Sequence, residues 1–119
     1  MKKGIVFPVV GFPFVTNVSD EIDLSEIVKI IGCEWAEIVR PKRLPEGYVM
    51  IVDEEGLLKP NVMNPVGSWL YETDKHGEPI MGNIIILKEV PGPEGYELDG
   101  LENKDVKAVF EVLGEEADI

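Results

Sequence analysis

The most apolar stretch of the chain runs from residue 80 to residue 90 and reads Ile80-Met81-Gly82-Asn83-Ile84-Ile85-Ile86-Leu87-Lys88-Glu89-Val90. Its isoleucine, leucine and valine content predicts a β-strand. The pair Gly82-Asn83 indicates a bulge or bend inside that strand. The uninterrupted apolar run from Ile84 to Leu87 is four residues long, whereas a membrane-spanning helix needs about 20. The stretch therefore predicts a strand of a folded domain rather than a membrane span.

The segment before this strand carries a helix start. Asn64 can serve as the N-cap and Pro65 occupies the first helical position, where proline is favoured. We expect a brief helix over residues 65–72. Residues 74–79 contain Gly77 and Pro79 and predict a loop that leads into the strand.

The segment after the strand predicts a break and then a second helix. Residues 91–95 read Pro-Gly-Pro-Glu-Gly, which indicates an interruption of regular structure. A helix is expected to begin near Asn103 and to end at Gly114, so that residues 115–119 form a flexible acidic tail. Apolar residues at helical spacing form its expected buried stripe, namely Val106, Val109, Phe110 and Leu113.

Farther out, the N-terminal half begins with two extended segments and a helix. Residues 3–10 and 12–18 are rich in valine and phenylalanine, and the prolines within them favour edge strands over a signal peptide. Asp23 is a candidate N-cap with Glu26 three residues later, an aspartate version of the capping box. Gly32 is the expected C-terminal glycine of this helix.

Two further strands are expected over residues 33–40 and 48–53. The turn between them makes a β-hairpin with Lys42 and Arg43 at its tip. The resulting order is β-β-α-β-β-α-β-α, which predicts one α+β domain over residues 1–119. Its sheet is expected to be mixed and mainly antiparallel, with two or three short helices packed on it.

The net charge excludes several classes of partner. The chain has 23 acidic residues and 11 lysines and arginines, for a net charge of −12 at pH 7. Nucleic-acid binding needs a basic face, and the one basic cluster here is Arg40, Lys42 and Arg43. We therefore expect neither direct nucleic-acid binding nor attraction to an anionic membrane.

The acid excess is concentrated after residue 50. Residues 1–50 have a net charge of −1 and residues 51–119 a net charge of −11. One interpretation is a solvated surface that keeps the protein soluble. The other is an acidic face that docks on a basic partner or imitates DNA, with Glu102, Asp105 and Glu111 near the last helix.

Catalytic and metal-binding patterns are missing from the sequence. His76 is the one histidine and Cys33 the one cysteine, too few for a zinc centre, and no phosphate-binding glycine motif occurs. We expect no catalytic residues, no metal and no cofactor. The lone cysteine permits no internal disulfide, and this favours a cytoplasmic location.

Residues 64–83 are the most informative stretch for function because polar donors alternate there with aromatic rings, as in ligand pockets. A purely structural interpretation also exists: Asn64 caps a helix, Trp69 is core, and Asn83 satisfies a bulge. With the basic cluster added, the predicted ligand-binding residues are Arg40, Arg43, Asn64, Ser68, Trp69, Tyr71, His76 and Asn83.

The middle of the chain resembles the family named domain of unknown function three-eight-four-six. The similar features are an acidic turn at residues 53–56, an Asn-Pro helix start at residues 64–71 and a Gly-Asn strand opening at residues 82–85. Gly67 stands where the family pattern has alanine. Covering roughly residues 24–113, the resemblance implies a small α+β fold and a setting in phages or mobile elements, but no known active site.

These observations lead to a functional expectation. A non-enzymatic phage or mobile-element protein would bind and sequester a small ligand such as a nucleotide, as a counter to host defence. It would act in the host cytoplasm and form a homo-oligomer. The alternative is an acidic inhibitor or DNA mimic that binds a host protein. An enzyme is the third class, and no constellation in the sequence supports it.

Overall fold

The computed structural model describes residues 2–117. Within that range a six-stranded antiparallel sheet is covered by four helices, which confirms the predicted α+β class. The expected parallel component does not occur among these strands. The elements are β1 (Lys3–Phe7), β2 (Phe14–Asn17), α1 (Leu24–Ile31), β3 (Ala36–Val39), β4 (Tyr48–Asp53), α2 (Pro65–Leu70), α3 (Thr73–His76), β5 (Ile84–Gly92), β6 (Gly95–Asp99) and α4 (Asn103–Ala117).

The strand predicted from the opening stretch is β5, the centre of the sheet. The main path is β2-β1-β5-β4-β3, and β6 pairs with β5 beside β1. Residues 84–86 of β5 pair with β1, residues 85–88 pair with β4 on the opposite edge, and residues 88–92 pair with β6. The predicted bend lies just before the strand, because Gly82 adopts a φ of 86°.

Residues 84–87 are all fully buried because helices cover both faces of the sheet. On one face, Ile85 and Leu87 pack in a cluster with Ile27 of α1. On the other face, Ile86 packs in a cluster with Leu70 of α2 and the apolar stripe of α4. The continuous apolar run of β5 is thus explained by burial on two sides.

The local signals for α1 are confirmed. The Asp23 carboxylate accepts a hydrogen bond from the Glu26 N–H at 3.1 Å. Gly32 ends the helix in the left-handed region with a φ of 75°, where glycine is favoured. Both caps act on backbone groups that the helix itself leaves unpaired.

Several boundaries differ from expectation. Residues 91–95 do not break the structure: residues 91 and 92 end β5, residues 93 and 94 make the turn, and Gly95 begins β6, a strand that was not predicted. The expected loop over residues 74–79 contains the short helix α3. Helix α4 continues through Gly114 to Ala117, so Gly114 does not end it. The predicted tail over residues 115–119 overlaps this helix and otherwise lies outside the described residues, where it stays a prediction.

Candidate functional site

Asn64 holds three backbone segments together. It is 1% exposed, and its side-chain oxygen accepts the Gly67 N–H at 3.0 Å, which confirms the predicted N-cap of α2. Its side-chain nitrogen donates to the carbonyls of Phe7 at 2.8 Å and Gly82 at 2.9 Å. The amide therefore ties the start of α2 to the end of β1 and to the turn before β5.

Ser68 and Asn83 have similar roles. The Ser68 hydroxyl accepts the Ile80 N–H at 3.0 Å and lies 3.3 Å from the Ile80 carbonyl. The Asn83 oxygen accepts the Val9 N–H at 2.9 Å, and its nitrogen donates to the Ile31 carbonyl at 3.4 Å. A ligand would have to compete with these bonds, so both side chains have structural roles. Asn83 was expected to satisfy a bulge, but it bonds the loop after β1 and the end of α1 instead.

The exposed members of the predicted set lie around one groove between the β3–β4 turn and α3. It has a volume of about 340 Å³, and we call it the 40–78 groove. Three predicted ligand-binding residues line it, and Arg43 and Trp69 lie behind it. Its lining residues are Arg40, Pro41, Lys42, Tyr71, Glu72, His76 and Glu78.

Tyr71 and His76 form the aromatic wall of the groove. Their ring centroids are 4.8 Å apart at an interplanar angle of 80°, an edge-to-face contact. His76 Nε2 lies 2.8 Å from the Tyr71 carbonyl, and Nδ1 accepts the Glu78 N–H at 3.2 Å. A tautomer with its proton on Nε2 matches both contacts. The imidazole is thereby fixed in place at an exposed position.

Glu72 gives this wall a strained backbone. Its φ of 61° and ψ of 40° place it in the left-handed region, and no other non-glycine residue in the described range has a positive φ. Such a conformation costs roughly 1–2 kcal/mol for an L-residue. The Lys75 ammonium lies 2.9 Å from the carboxylate and lowers the pKa of Glu72.

The two arginines near the groove are both paired. Arg40 contacts Glu89 through two hydrogen bonds, at 2.6 and 2.9 Å, and this pairing raises its pKa. Arg43 donates to the Trp69 carbonyl at 2.8 Å and to Asp74 at 3.1 Å. Lys42 is exposed and forms no ion pair within residues 2–117. It is therefore the cation that a ligand can reach without breaking a contact.

Trp69 contacts Arg43 and lines an apolar cavity. The Arg43 guanidinium lies 4.8 Å from the centroid of the indole, a cation–π contact. The ring also lines a cavity of about 510 Å³. No sequence pattern predicts this cavity directly, although Pro8 and Pro13 indicate that the loop between them leaves the sheet. Its walls include Phe7, Pro8, Val66, Trp69, Phe110 and Leu113.

A buried cluster between Tyr48, Lys88 and Asp105 was also missed. The Asp105 carboxylate accepts from the Tyr48 hydroxyl at 2.8 Å, Lys88 Nζ at 3.0 Å and the Glu102 N–H at 2.8 Å. Burial acts to raise the pKa of Asp105, but these three bonds outweigh it and lower the pKa. Burial, and then the bond to Asp105, raises the pKa of Tyr48 to about 12.

This cluster corrects the predicted acidic face. Asp105 is 7% exposed and faces the sheet, so it cannot contribute to a charged surface as expected. Glu102, just before α4, and Glu111 on the helix are exposed, but Lys104 and Lys107 are exposed between them. The negative charge on the outer face of this helix is therefore partly offset by lysines.

A family model described as Domain of unknown function (DUF3846) matches residues 1–112. The chain belongs to this family. The match confirms the resemblance and extends it to the N-terminal strands. No curated protein and no solved structure matches the chain.

Packing explains the one departure from the family pattern in α2. At Gly67, where alanine was expected, an added Cβ would lie 3.0 Å from Ile80 Cγ2 and 3.3 Å from Ile84 Cδ1. Both distances are close for carbon atoms. Glycine lets α2 approach the segment before β5, at the cost of some helix propensity.

Two further observations on the described residues concern membrane spans and metal sites. None of the helices is long and apolar enough to cross a membrane. No group of three or more histidine, cysteine, aspartate and glutamate side chains in this part of the chain is arranged to hold a metal ion. The 40–78 groove and the apolar cavity are two candidate binding sites, and predicted ligand-binding residues line both.

Proposed function

We propose that this protein binds a small ligand in the 40–78 groove without changing it chemically, and that the ligand is a nucleotide. The observation that carries the proposal is the backbone of Glu72, which is strained at the wall of the groove that Tyr71 and His76 also line. Strained backbone persists only where surrounding contacts fix it, and it is concentrated at ligand sites.

The groove offers a group for each part of a nucleotide. Lys42 is an exposed ammonium for a phosphate, and the Arg40 guanidinium is held beside it by Glu89. The rings of Tyr71 and His76 offer surfaces for a base. Glu78 is exposed on the same groove and can accept hydrogen bonds from base amino groups.

The biological setting that we propose follows from the family resemblance. The protein would act in a phage or mobile element, in the host cytoplasm, by holding a nucleotide signal of host defence away from its receptor. Sequestration requires affinity and no catalysis, which agrees with a sequence that has one histidine and no nucleophile motif.

A ligand screen tests this proposal. The melting temperature is measured against mono-, di- and cyclic nucleotides, since a ligand that binds the native state raises it. Hits are then titrated by calorimetry, and the ligand is recovered and weighed by mass spectrometry. We expect a rise in melting temperature and an unchanged ligand mass. A flat response across the panel contradicts binding, and an altered mass contradicts the non-enzymatic role.

A matched pair of variants locates the site. Lys42→Ala removes the accessible cation and is expected to weaken nucleotide binding by roughly tenfold or more. Lys104→Ala removes an exposed lysine from α4, outside the groove, and is expected to leave the affinity unchanged. Equal loss in both variants would indicate general charge attraction rather than the 40–78 groove.

The alternative of an acidic inhibitor or DNA mimic rests on the charge of the second half of the chain. Glu94 and Glu97 are exposed on the β5–β6 hairpin and favour a basic partner there. Lys104 and Lys107 interrupt the acidic surface of α4, so this helix does not imitate the regular row of negative phosphates in DNA. A partner captured at low salt and released at high salt, with no nucleotide response, would favour this alternative.

A further inference from the structure

The sheet has three strands with an open edge. Among the described strands, β2 and β3 end the main path, and β6 pairs only with β5. An open edge presents unpaired N–H and C=O groups that can pair with another chain. Proteins usually protect such edges with charged side chains, and the three edges here differ in this respect.

Two of the edges carry acids. Strand β3 contains Glu37, and β6 contains Glu97 and Asp99. Strand β2 reads Phe-Val-Thr-Asn and has no charge. The sequence before β2 also lacks acidic residues, because the first acid of the chain is Asp20. In a chain with a net charge of −12, β2 is therefore the edge that a second copy can approach with the least repulsion.

The hydrogen bonds of β2 show which groups face outward. The Val18 N–H donates to the Lys2 carbonyl at 3.0 Å, and Thr16 pairs with Gly4 in the same register. In an antiparallel ladder, alternate residues direct their backbone groups to the same side. The N–H and C=O groups of Val15 and Asn17 therefore point away from β1, toward the open edge.

Apolar side chains are exposed on β2 and on the loop that precedes it. Phe14 is 49% exposed and Val15 is 43% exposed, while Val10 and Phe12 on the preceding loop are 82% and 90% exposed. With roughly 200 Å² for a whole phenylalanine side chain, Phe12 alone presents close to that area to solvent. A contiguous exposed patch of several hundred Å² is typical of a protein interface.

We propose that two copies of this chain associate through β2, with the two strands antiparallel across a twofold axis, so that the two sheets become continuous. A twofold interface needs a surface that is complementary to itself. An antiparallel pair of identical strands meets this requirement, because each Val15 and Asn17 offers both a donor and an acceptor. The proposal is independent of the nucleotide function and concerns a different part of the molecule.

Sedimentation velocity on the purified full chain tests the interface. We expect the wild type to sediment at twice the chain mass of 13.2 kDa. Val15→Pro removes an outward N–H and no hydrogen bond to β1, which proline tolerates on an edge strand. Because a twofold axis doubles the loss, we expect the dimer dissociation constant to rise by at least about 30-fold.

The matched control is Tyr96→Pro on β6. Residue 97 pairs with Val90, and the hydrogen-bonded position alternates along β6, so the Tyr96 N–H also points outward. We expect Tyr96→Pro to remain a dimer. Circular dichroism and the melting temperature report whether each variant is folded, and Val15→Glu replaces Val15→Pro if proline prevents folding.

Three outcomes would overturn the proposal. The first is a wild-type chain that is monomeric up to roughly 100 µM, since a specific dimer that matters in a cell binds more tightly than this. The second is dissociation by Tyr96→Pro while Val15→Pro stays dimeric. The third is a folded Val15→Glu variant that dimerises as tightly as the wild type. Nucleotide binding can succeed or fail in each case, because it is measured separately.

Discussion

Residues 64–83 contain two sets of polar side chains with opposite surroundings. Asn64, Ser68 and Asn83 use their polar atoms on backbone groups of neighbouring segments. Tyr71 and His76, from the same twenty residues, line an accessible groove. The two sets come from the same short stretch of sequence, so sequence neighbourhood alone does not distinguish a structural polar group from a binding one. The clearest difference is burial, because Asn64 and Ser68 are buried whereas His76 is exposed.

The largest expected effect on stability comes from replacing Asn64, the structural polar residue with the most hydrogen bonds. Asn64→Ala leaves the Phe7 and Gly82 carbonyls and the Gly67 N–H without their partner. Loss of a cap together with buried unpaired groups is expected to lower the free energy of unfolding by about 3 kcal/mol. Urea unfolding at constant m-value measures the change.

The control for this variant is Asn103→Ala at an exposed asparagine, which accepts one bond from Lys3 at 3.3 Å. It is expected to change stability by less than about 0.5 kcal/mol. Equal effects of the two substitutions on the free energy of unfolding would contradict the distinction between buried structural polar groups and exposed ones.

A buried charge extends the comparison to α4. Asp105→Asn weakens the bonds to Lys88 and Tyr48 and is expected to cost about 2 kcal/mol at neutral pH. Because the pKa of Asp105 is lowered in the folded state, its contribution is present above the ordinary aspartate pKa. The difference between wild type and variant should therefore shrink as the pH falls below about 4.

Denaturant unfolding at a series of pH values measures this dependence. Glu111→Gln, at an exposed position of the same helix, serves as the control and should follow the wild type at each pH. A difference between wild type and Asp105→Asn that stays constant down to acidic pH would show that the carboxylate charge is not the stabilising group.

Arg43 is half-buried. Of the three test substitutions, its replacement has the smallest expected effect on stability. Arg43→Ala removes the bond to the Trp69 carbonyl, the pair with Asp74 and the contact over the indole. Because Asp74 is largely exposed, the expected loss is about 1 kcal/mol, or roughly 4 °C in Tm.

Arg40→Ala is the matched control, since the Arg40 guanidinium also donates two hydrogen bonds, both to Glu89, but its side chain is 61% exposed. Calorimetric melting should show a smaller fall for Arg40→Ala than for Arg43→Ala. The reverse order would show that Arg43 contributes little to stability. It would then stay a candidate ligand contact, as the sequence predicts.

Features with local causes could be predicted from the sequence. The caps at Asp23, Gly32 and Asn64 depend on side chains and backbone within three or four residues. Strand β4 was predicted with its observed bounds because turn residues flank it on both sides. The stripe of α4 is periodic and packs on the sheet as expected.

The second strand of the C-terminal hairpin was missed for a physical reason. Pro91 lies inside β5, opposite Tyr96. Its nitrogen points to the β4 side of the strand, beyond the start of β4 at Tyr48, so the missing N–H removes no ladder bond. A proline that breaks most strands is harmless in this register, and the register depends on long-range pairing.

The candidate site was predictable only in part for the same reason. The residues of the 40–78 groove come from the β3–β4 turn and from α3, which pack together through Arg43 and Asp74, 31 positions apart. The strain at Glu72 and the burial of Asp105 depend on the completed packing. No local pattern in the sequence distinguishes them from ordinary surface acids.

The central position of β5 also sets an order for synthesis and folding. Ile5 pairs with Ile86, so the first strand waits for residues some eighty positions later. A nascent chain that ends before Ile84 can form the β1–β2 and β3–β4 hairpins, but these share no strand. Folding is expected to be slow relative to helical proteins of this length, because it requires distant contacts. The apolar β1–β2 hairpin is then exposed on the ribosome until the centre of the sheet emerges.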